Sequence, residues 1–253
     1  MGEKTRINRY LAAAGFGSRR SCEALVRDGL VAVNGKRLAS LAVTIDPDID
    51  VVTVRGRKVG GACREIILVL NKPTGVLSTV RDSFDRKTVI DIAREHGHTD
   101  RLFPVGRLDY DTSGILLLTN DGALAHRLMH PRFKIEKTYR VTVEGAVARE
   151  TVTKLSRGVE LDGSTTLPCS VKVVARPGGS TVLEMKLKEG RKRQIRRMLA
   201  LCGHRVTALR RTALGPLAFS DCAEGTMRPL SERERRRLRE IAGLVARREE
   251  EPA

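Results

Sequence analysis

A chain of 253 residues is long enough for one large domain or two modest ones. Its 47 Lys and Arg against 30 Asp and Glu leave a formal net charge of +17, which points to a polyanionic partner, nucleic acid before anionic membrane. No apolar run approaches the ~20 residues of a membrane span and no apolar signal core opens the chain, so a cytoplasmic protein is expected; five scattered cysteines without a Cys-x-x-Cys pair exclude a disulfide framework.

The chain opens as a small α/β unit. Thr5 is placed to cap a first helix to Ala14, which Gly15-Phe16-Gly17 breaks. Ser18 caps a second helix whose Cys22, Leu25 and Val26 share one face, with Gly29 at the C-terminal stop. Leu30-Val31-Ala32-Val33, Asn34-Gly35 and Lys36-Arg37-Leu38 read as a hairpin, and Val51 to Val54 as a further strand. Lys4, Arg6, Arg9, Arg19, Arg20, Arg27, Lys36 and Arg37 stud the helices and the hairpin. Such a set is either a solvated basic face or a phosphate-binding surface, and its concentration on adjacent elements favours phosphate. Residues 1–60 are expected to form one domain, with Gly56 to Gly61 a basic linker and 61–65 the junction.

Ile66 to Leu70 reads as a buried strand entering the turn Asn71-Lys72-Pro73-Thr74-Gly75. Ser78 to Lys87 is an exposed basic loop and Thr88 to His96 a short helix. Phe103-Pro104-Val105 leads into Gly106-Arg107-Leu108-Asp109-Tyr110-Asp111-Thr112-Ser113-Gly114, a polar loop that feeds the apolar run Ile115 to Leu118. Asp109 is thus held on a loop at the edge of a rigid core, where reactive groups are usually carried. Asn120 or Asp121 caps a helix to Met129, ended by Pro131. Lys137 to Glu144 alternates, with Tyr139, Val141 and Val143 on one face. Thr151 to Gly158 is a short helix, and Val171 to Ala175 and Thr181 to Leu187 are strands around Pro177-Gly178-Gly179. The helix within Glu189 to Leu199 keeps Ile195, Met198, Leu199 and Cys202 on one face, turns Arg193 and Arg197 to solvent and leaves Arg196 on the flank, where its head can reach a cleft. His204 to Leu209 is a last core strand, and Ser231-Glu232-Arg233-Glu234 opens an amphipathic helix to about Ala246.

On these residues alone, Asp109 is either a loop-capping carboxylate or a catalytic one. An opposite charge within hydrogen-bonding range lowers an Asp pKa by roughly 1–3 units, and an ionised, positioned carboxylate can act as nucleophile or general base. Tyr139 is either a core tyrosine among valines or a ring that stacks on an extruded base, an interaction worth about 1–3 kcal/mol. Three Tyr, five Phe and no Trp argue against broad stacking on single strands. Asp109, Asp111 and Asp121 are the set a magnesium-dependent nuclease would use, but neighbouring arginines compete with a dication. His126 and His130 lack the Glu of a zinc-protease helix. No metal is expected.

The opening segments Thr5 to Leu11, Gly17 to Ser21 and Leu30 to Lys36 resemble the S-four-type RNA-binding domain. Asn71-Lys72-Pro73-x-Gly75, Gly106-Arg107-Leu108-Asp109 through Gly122, Lys137-Thr138-Tyr139 and Glu189-Gly190-Arg191-x-Arg193-Gln194-Ile195-Arg196-Arg197-Met198 follow in that order. Together they resemble the RsuA/RluB branch of the ribosomal RNA pseudouridine synthases over nearly the whole chain; Lys192, where many relatives carry Asn, is a small departure. The resemblance implies an α+β fold: the small α/β RNA-binding module, then a catalytic domain (66–230) with a mixed, largely antiparallel sheet, flanking helices and a cleft across it. The sheet halves are expected near 66–145 and 146–230, and 231–253 as a C-terminal helix and tail. It implies isomerisation of a uridine in ribosomal RNA to pseudouridine without a cofactor. Asp109 matches the essential aspartate, whose step is attack on the anomeric carbon, attack on the base, or removal of a ribose proton. Tyr139 matches the tyrosine that stacks on the target uracil, Arg196 the arginine that salt-bridges the aspartate, and Arg107 the arginine that enters the RNA stack. Lys72, Arg191, Arg193 and Arg197 are expected phosphate contacts by charge and proximity to the motifs. The partner is expected to be 23S rather than 16S rRNA, free or in an assembly intermediate, bound by a monomer. The competing readings are a non-catalytic rRNA-binding assembly factor and a metal-dependent nuclease.

Overall fold

The computed structural model describes residues 4–60, 63–218 and 223–244, and the chain divides into two compact units, Met1–Glu65 and Ile66–Ala253. The first contains β1 (Thr5–Arg6), α1 (Ile7–Ala13), α2 (Arg19–Arg27), β2 (Val31–Val33), β3 (Lys36–Arg37), β4 (Thr44–Ile45), β5 (Val52–Val54) and β6 (Arg57–Lys58). Strands β3-β2-β5-β6 form one antiparallel sheet and β1 pairs with β4. Ile7, Leu11, Cys22 and Val26 from the helices share a core with Val31 and Val52. Ser18 accepts the Ser21 N–H as a helix cap, and Asn34-Gly35, at φ 50° and 80°, makes the expected primed hairpin turn.

Two local expectations are corrected by the fold. Thr5 does not cap α1, because it is drawn into the β1–β4 ladder and Arg6 takes the cap position without a side-chain bond. Gly56 does not begin a linker. Arg55 and Gly56, at φ 50° and 76°, form a second hairpin turn that joins β5 to β6, and Val59 beyond it is buried. Gly61 lies outside the described residues.

The second unit runs β7 (Ile67–Lys72), α3 (Val89–Glu95), β8 (Phe103–Pro104), β9 (Ser113–Thr119), α4 (Gly122–Met129), a 3-10 turn (Pro131–Phe133), β10 (Lys137–Glu144), α5 (Arg149–Arg157), β11 (Glu160–Leu161), β12 (Ser164–Thr165), β13 (Ser170–Ala175), β14 (Ser180–Leu187), α6 (Gln194–Ala200), β15 (Val206–Leu214), β16 (Leu217–Ala218), β17 (Met227–Pro229) and α7 (Glu232–Ile241). Its main sheet has the order β13-β14-β10-β15-β9-β7-β17, with β8 on β9 and β16 on β15. Among the described residues β9–β15 is its parallel pairing and the others are antiparallel. The expected division of this sheet at residue 145 is corrected. β10 pairs with β14 and β15 in one half, and β17 crosses to β7 in the other. β15 also outruns the expected end at Leu209, because Arg211 is buried rather than a charged exit. α7 stops at Ile241, short of Ala246, which lies outside the described residues.

β7 and β9 read as unbroken apolar runs because both their faces are covered. Ile67, Val69, Ile115 and Leu117 pack with Leu124 and Leu128 of α4 and Leu238 of α7. Leu68, Leu70, Leu116 and Leu118 pack with Val89 and Ile92 of α3 on the other face. The far half buries one face only, where Val141, Val143, Leu183 and Met185 meet Leu155 of α5 and Met198 and Leu199 of α6.

The halves join at two residue pairs, Arg210 with Ser113 and Arg211 with Gly114. Gly114 has φ 108°, and a Cβ there would collide with the Arg211 carbonyl oxygen and crowd its N at 2.7 Å. Only glycine permits this approach. Gly114→Ala is expected to cost roughly 2–5 kcal/mol in the second unit, read as a lowered thermal midpoint. Gly122→Ala, in α4 with open space at its Cβ, is expected to be neutral or slightly stabilising.

Candidate active site

The loop between β8 and β9 carries Asp109, and its backbone is pinned from beneath. Lys72, at the end of β7, is fully buried. Its ammonium donates to the carbonyls of Pro73 (2.8 Å), Thr112 (2.9 Å) and Asp109 (3.3 Å). The Ser78 hydroxyl donates to the Leu108 carbonyl and accepts the Leu108 N–H. The Gly75 N–H donates to the Tyr110 carbonyl. These bonds hold the main chain on both sides of Asp109 and leave its carboxylate half-buried at a cleft of about 420 Å³. Burial pulls Lys72 from 10.5 to about 8, against the opposing charges of Glu224, Asp111 and Asp109.

The facing wall is α6 and the residues just before it. Arg193, in left-handed conformation at φ 50°, makes a bidentate pair with Asp111 at 3.2 and 3.0 Å. Arg196 donates to the Asp111 carbonyl at 2.8 Å, lies 3.2 Å from its carboxylate and bonds the Val206 carbonyl. Burial alone would raise the Asp111 pKa, but the Arg193 hydrogen bonds and the charges of Arg196 and Arg193 outweigh it and hold the carboxyl below its ordinary value. The Gln194 amide donates to Glu189 at 2.6 Å, and its oxygen accepts the Arg191 N–H.

Several expected contacts change under this geometry. Arg196 meets Asp111, not Asp109: Asp111 lies on the part of the loop that faces α6, while Asp109 lines the cleft. Lys72 is sealed under the loop, so it is not a phosphate contact. Arg191 lines the cleft, but its guanidinium is committed to the carbonyls of Leu161, Ser164 and Thr165 and to the Ser164 hydroxyl. Arg197 pairs with the exposed Asp162 at 2.6 and 2.8 Å. Asp109, Arg107, Tyr139 and Arg193 all line the cleft. Arg6, Arg9, Arg19, Arg20, Lys36 and Arg37 are exposed in the first unit, and none joins an ion pair there among the described residues. The cleft also contains Lys137 and Arg211, which sequence reading passed over. The alternation that groups Tyr139 with Val141 and Val143 places Lys137 on the same face, but nothing in the Arg210-Arg211 pair signals that one of them is buried.

The second unit thus presents a pinned acidic loop to an arginine-bearing helix beside a mixed sheet, and a separate basic module precedes it in the chain. The RNA pseudouridylate synthase family model matches residues 66–201 and the S4 domain matches residues 5–48. An uncharacterized RNA pseudouridine synthase of Aquifex aeolicus is 40% identical, covering 95% of this chain and 96% of its own length. The ribosomal large subunit pseudouridine synthase B of Bacillus subtilis is 39% identical, over 94% of this chain and 96% of its own. A crystal structure of a pseudouridylate synthase superposes with a TM-score of 0.65 at 28% identity, covering 92% of this chain and 99% of that one. The chain belongs to the RNA pseudouridine synthases, with an S4 domain ahead of the catalytic fold.

Lys72→Met keeps the stem but leaves buried carbonyls without a donor, at about 1–3 kcal/mol. Pseudouridine formation in a single-turnover assay is expected to drop at least tenfold, with RNA affinity unchanged. Between pH 8 and 10.5 the unfolded chain holds the extra proton, so the Lys72 contribution to stability rises with pH. Over that window the neutral amine has only two N–H groups for three carbonyls. Wild-type turnover is therefore expected to fall above pH 8 without a parallel loss of thermal midpoint.

Proposed function

We propose that this enzyme isomerises one uridine of ribosomal RNA, in the large-subunit (23S) rather than the small-subunit molecule, without a metal or organic cofactor. The observation that carries the reading is the Asp109 carboxylate, presented into the cleft by a loop whose carbonyls Lys72 holds. The large-subunit assignment is supported by the match to the Bacillus subtilis enzyme over nearly all of both chains. The absence of any described helix long and apolar enough to cross a membrane is compatible with a cytoplasmic enzyme acting on free rRNA or an assembly intermediate.

In this reading the target nucleotide leaves its helix, at a cost of a few kcal/mol, and its uracil stacks on Tyr139. Arg107, exposed at the cleft rim, enters the space the base leaves. Arg193 is the α6 arginine placed to meet phosphate, since its pair with Asp111 is half-exposed and such pairs are worth about 1 kcal/mol or less. Arg197 shares that role by exchanging Asp162 for phosphate. Asp109 attacks the anomeric carbon, attacks the base or takes a ribose proton. Each route ends with the N1–C1′ bond replaced by C5–C1′, the C5 proton lost and a proton gained at N1, so RNA mass is unchanged. Arg196 acts indirectly, fixing Asp111 and so the loop two residues from Asp109.

The test is pseudouridine mapping of total rRNA in strains with the wild-type protein, with Asp109→Asn and with none. One 23S site is expected to vanish in both altered strains; retention of every site with Asp109→Asn would remove that residue's role. Tyr139→Phe is expected to keep activity and Tyr139→Ala to lose it. In the first unit, Arg19→Ala with Arg20→Ala is expected to flatten the salt dependence of RNA binding, by about 0.9 in log–log slope for each phosphate no longer neutralised.

A further inference from the structure

Two cations on the cleft floor have no role in the chemistry described so far. Arg211 is 3% exposed and lines the cleft. Its Nε donates to the Ile115 carbonyl at 2.7 Å, while its Nη2 is shut from solvent and has no hydrogen-bond partner. No carboxylate forms an ion pair with it among the described residues. Lys137 also lines the cleft, and its ammonium donates to the Ile135 carbonyl at 3.1 Å. Arg211 is the direct cross-strand partner of Tyr139 on β15, and such partners stand on one face about 5 Å apart. Lys137 precedes Tyr139 by two residues on β10, whose ladder to β14 is unbroken there, so it shares that face. Burial first, and the Arg211 charge second, press the Lys137 pKa below its ordinary value.

An unpaired buried guanidinium beside a half-buried ammonium opposes folding unless an anion answers it. The charge is not screened by water, so its field acts strongly on whatever enters the cleft. Apolar walls from Leu128, Ile135, Leu187 and Leu214 surround it, which suits a base better than a hydrated phosphate.

Resting on the proposed uridine isomerisation, we propose that Arg211, assisted by Lys137, stabilises the negative charge that the uracil carries once it is detached from the ribose. When the N1–C1′ bond breaks, its electron pair passes to the uracil and spreads over N1, O2 and O4. The deficit at C1′ is met by a bond from an Asp109 oxygen, or by a C1′–C2′ double bond after Asp109 removes the C2′ proton. Both routes produce the same base anion above Tyr139. Re-addition through C5 displaces the Asp109 oxygen from C1′ in the first route, or draws the Asp109-held proton back to C2′ in the second; loss of the C5 proton to solvent and protonation at N1 then restore neutrality. Arg211 and Lys137 are thus electrostatic positioning residues, and Tyr139 alone touches the ring face.

The test compares wild type, Arg211→Gln, Arg211→Lys and Lys137→Gln on the rRNA fragment that the wild type converts, with uridine or 5-fluorouridine at the target. Fluorine stabilises the base anion by itself, and glycosidic-bond cleavage is followed in single turnover. Arg211→Gln is expected to slow cleavage at least 100-fold on uridine with RNA Kd within twofold, and to regain at least tenfold of that on 5-fluorouridine. Arg211→Lys is expected to recover part of the rate, and Lys137→Gln to lose about tenfold on uridine only. An undiminished Arg211→Gln rate, an equal defect on both substrates, or a Kd loss matching the rate loss, which would assign the cations to phosphate, overturns the proposal. Should Arg211→Gln fail to fold, Lys137→Gln decides: no substrate-dependent defect overturns it. Failure of the wild type to form pseudouridine would instead overturn the function on which the inference rests.

Discussion

The close approach of the Gly114 backbone to Arg211 is the constraint on which the catalytic unit depends. Lys72 pairs with Gly114, Gly114 with Arg211, Arg211 with Tyr139 and Tyr139 with Met185. One line of residues across five strands therefore sets the Lys72 anchor under the acidic loop and Tyr139 on the cleft face. A side chain at position 114 would wedge the halves apart and displace both groups together. Because the sheet is covered on both faces around β7 and β9, the anchor side is rigid.

The basic residues divide into two uses that net charge does not separate. Lys72 and Arg191 are satisfied by main-chain carbonyls and serve as internal struts. Arg193, Arg196 and Arg197 hold carboxylates across the cleft and on its flank. Arg9, Arg19 and Arg20 of the first two helices and Arg37 of the β2–β3 hairpin are exposed and join no ion pair among the described residues, whereas Arg27 of α2 pairs with Glu23. A +17 chain thus devotes part of its excess to geometry and leaves part exposed on its surface.

Much of this was legible in the sequence. The apolar runs located β7 and β9, alternation located β10, Ser18 and Asp121 cap their helices, and the Asn34-Gly35 hairpin closes as its dipeptide requires. The two-residue rhythm of β10 put Tyr139 on the face of Val141 and Val143 and left open whether its ring was core or cleft. What escaped was tertiary in origin. Whether an arginine is a phosphate ligand or a strut depends on which carbonyls it meets, as Arg191 meets those of the β11–β12 hairpin. Which of two nearby aspartates Arg196 holds depends on how the loop turns. Thr5 has good capping chemistry, but the strand partner at Ile45 won. The crossing of β17 back to β7 has no local signal at all.

The seam between the halves also orders the birth of the enzyme. The Arg211 bond to Ile115 spans 96 residues of chain, and parallel strands cannot be brought together by a tight turn. The β7–β9 and β13–β14 ladders can form from chain already at hand, whereas the seam must wait for β15 and overcome the longer closure entropy. A nascent chain that has emerged only through α6 carries Asp109, Tyr139 and Arg196 but no cleft floor. The parallel seam, and with it the part of the cleft that Arg211 lines, is complete only once β15 is in place.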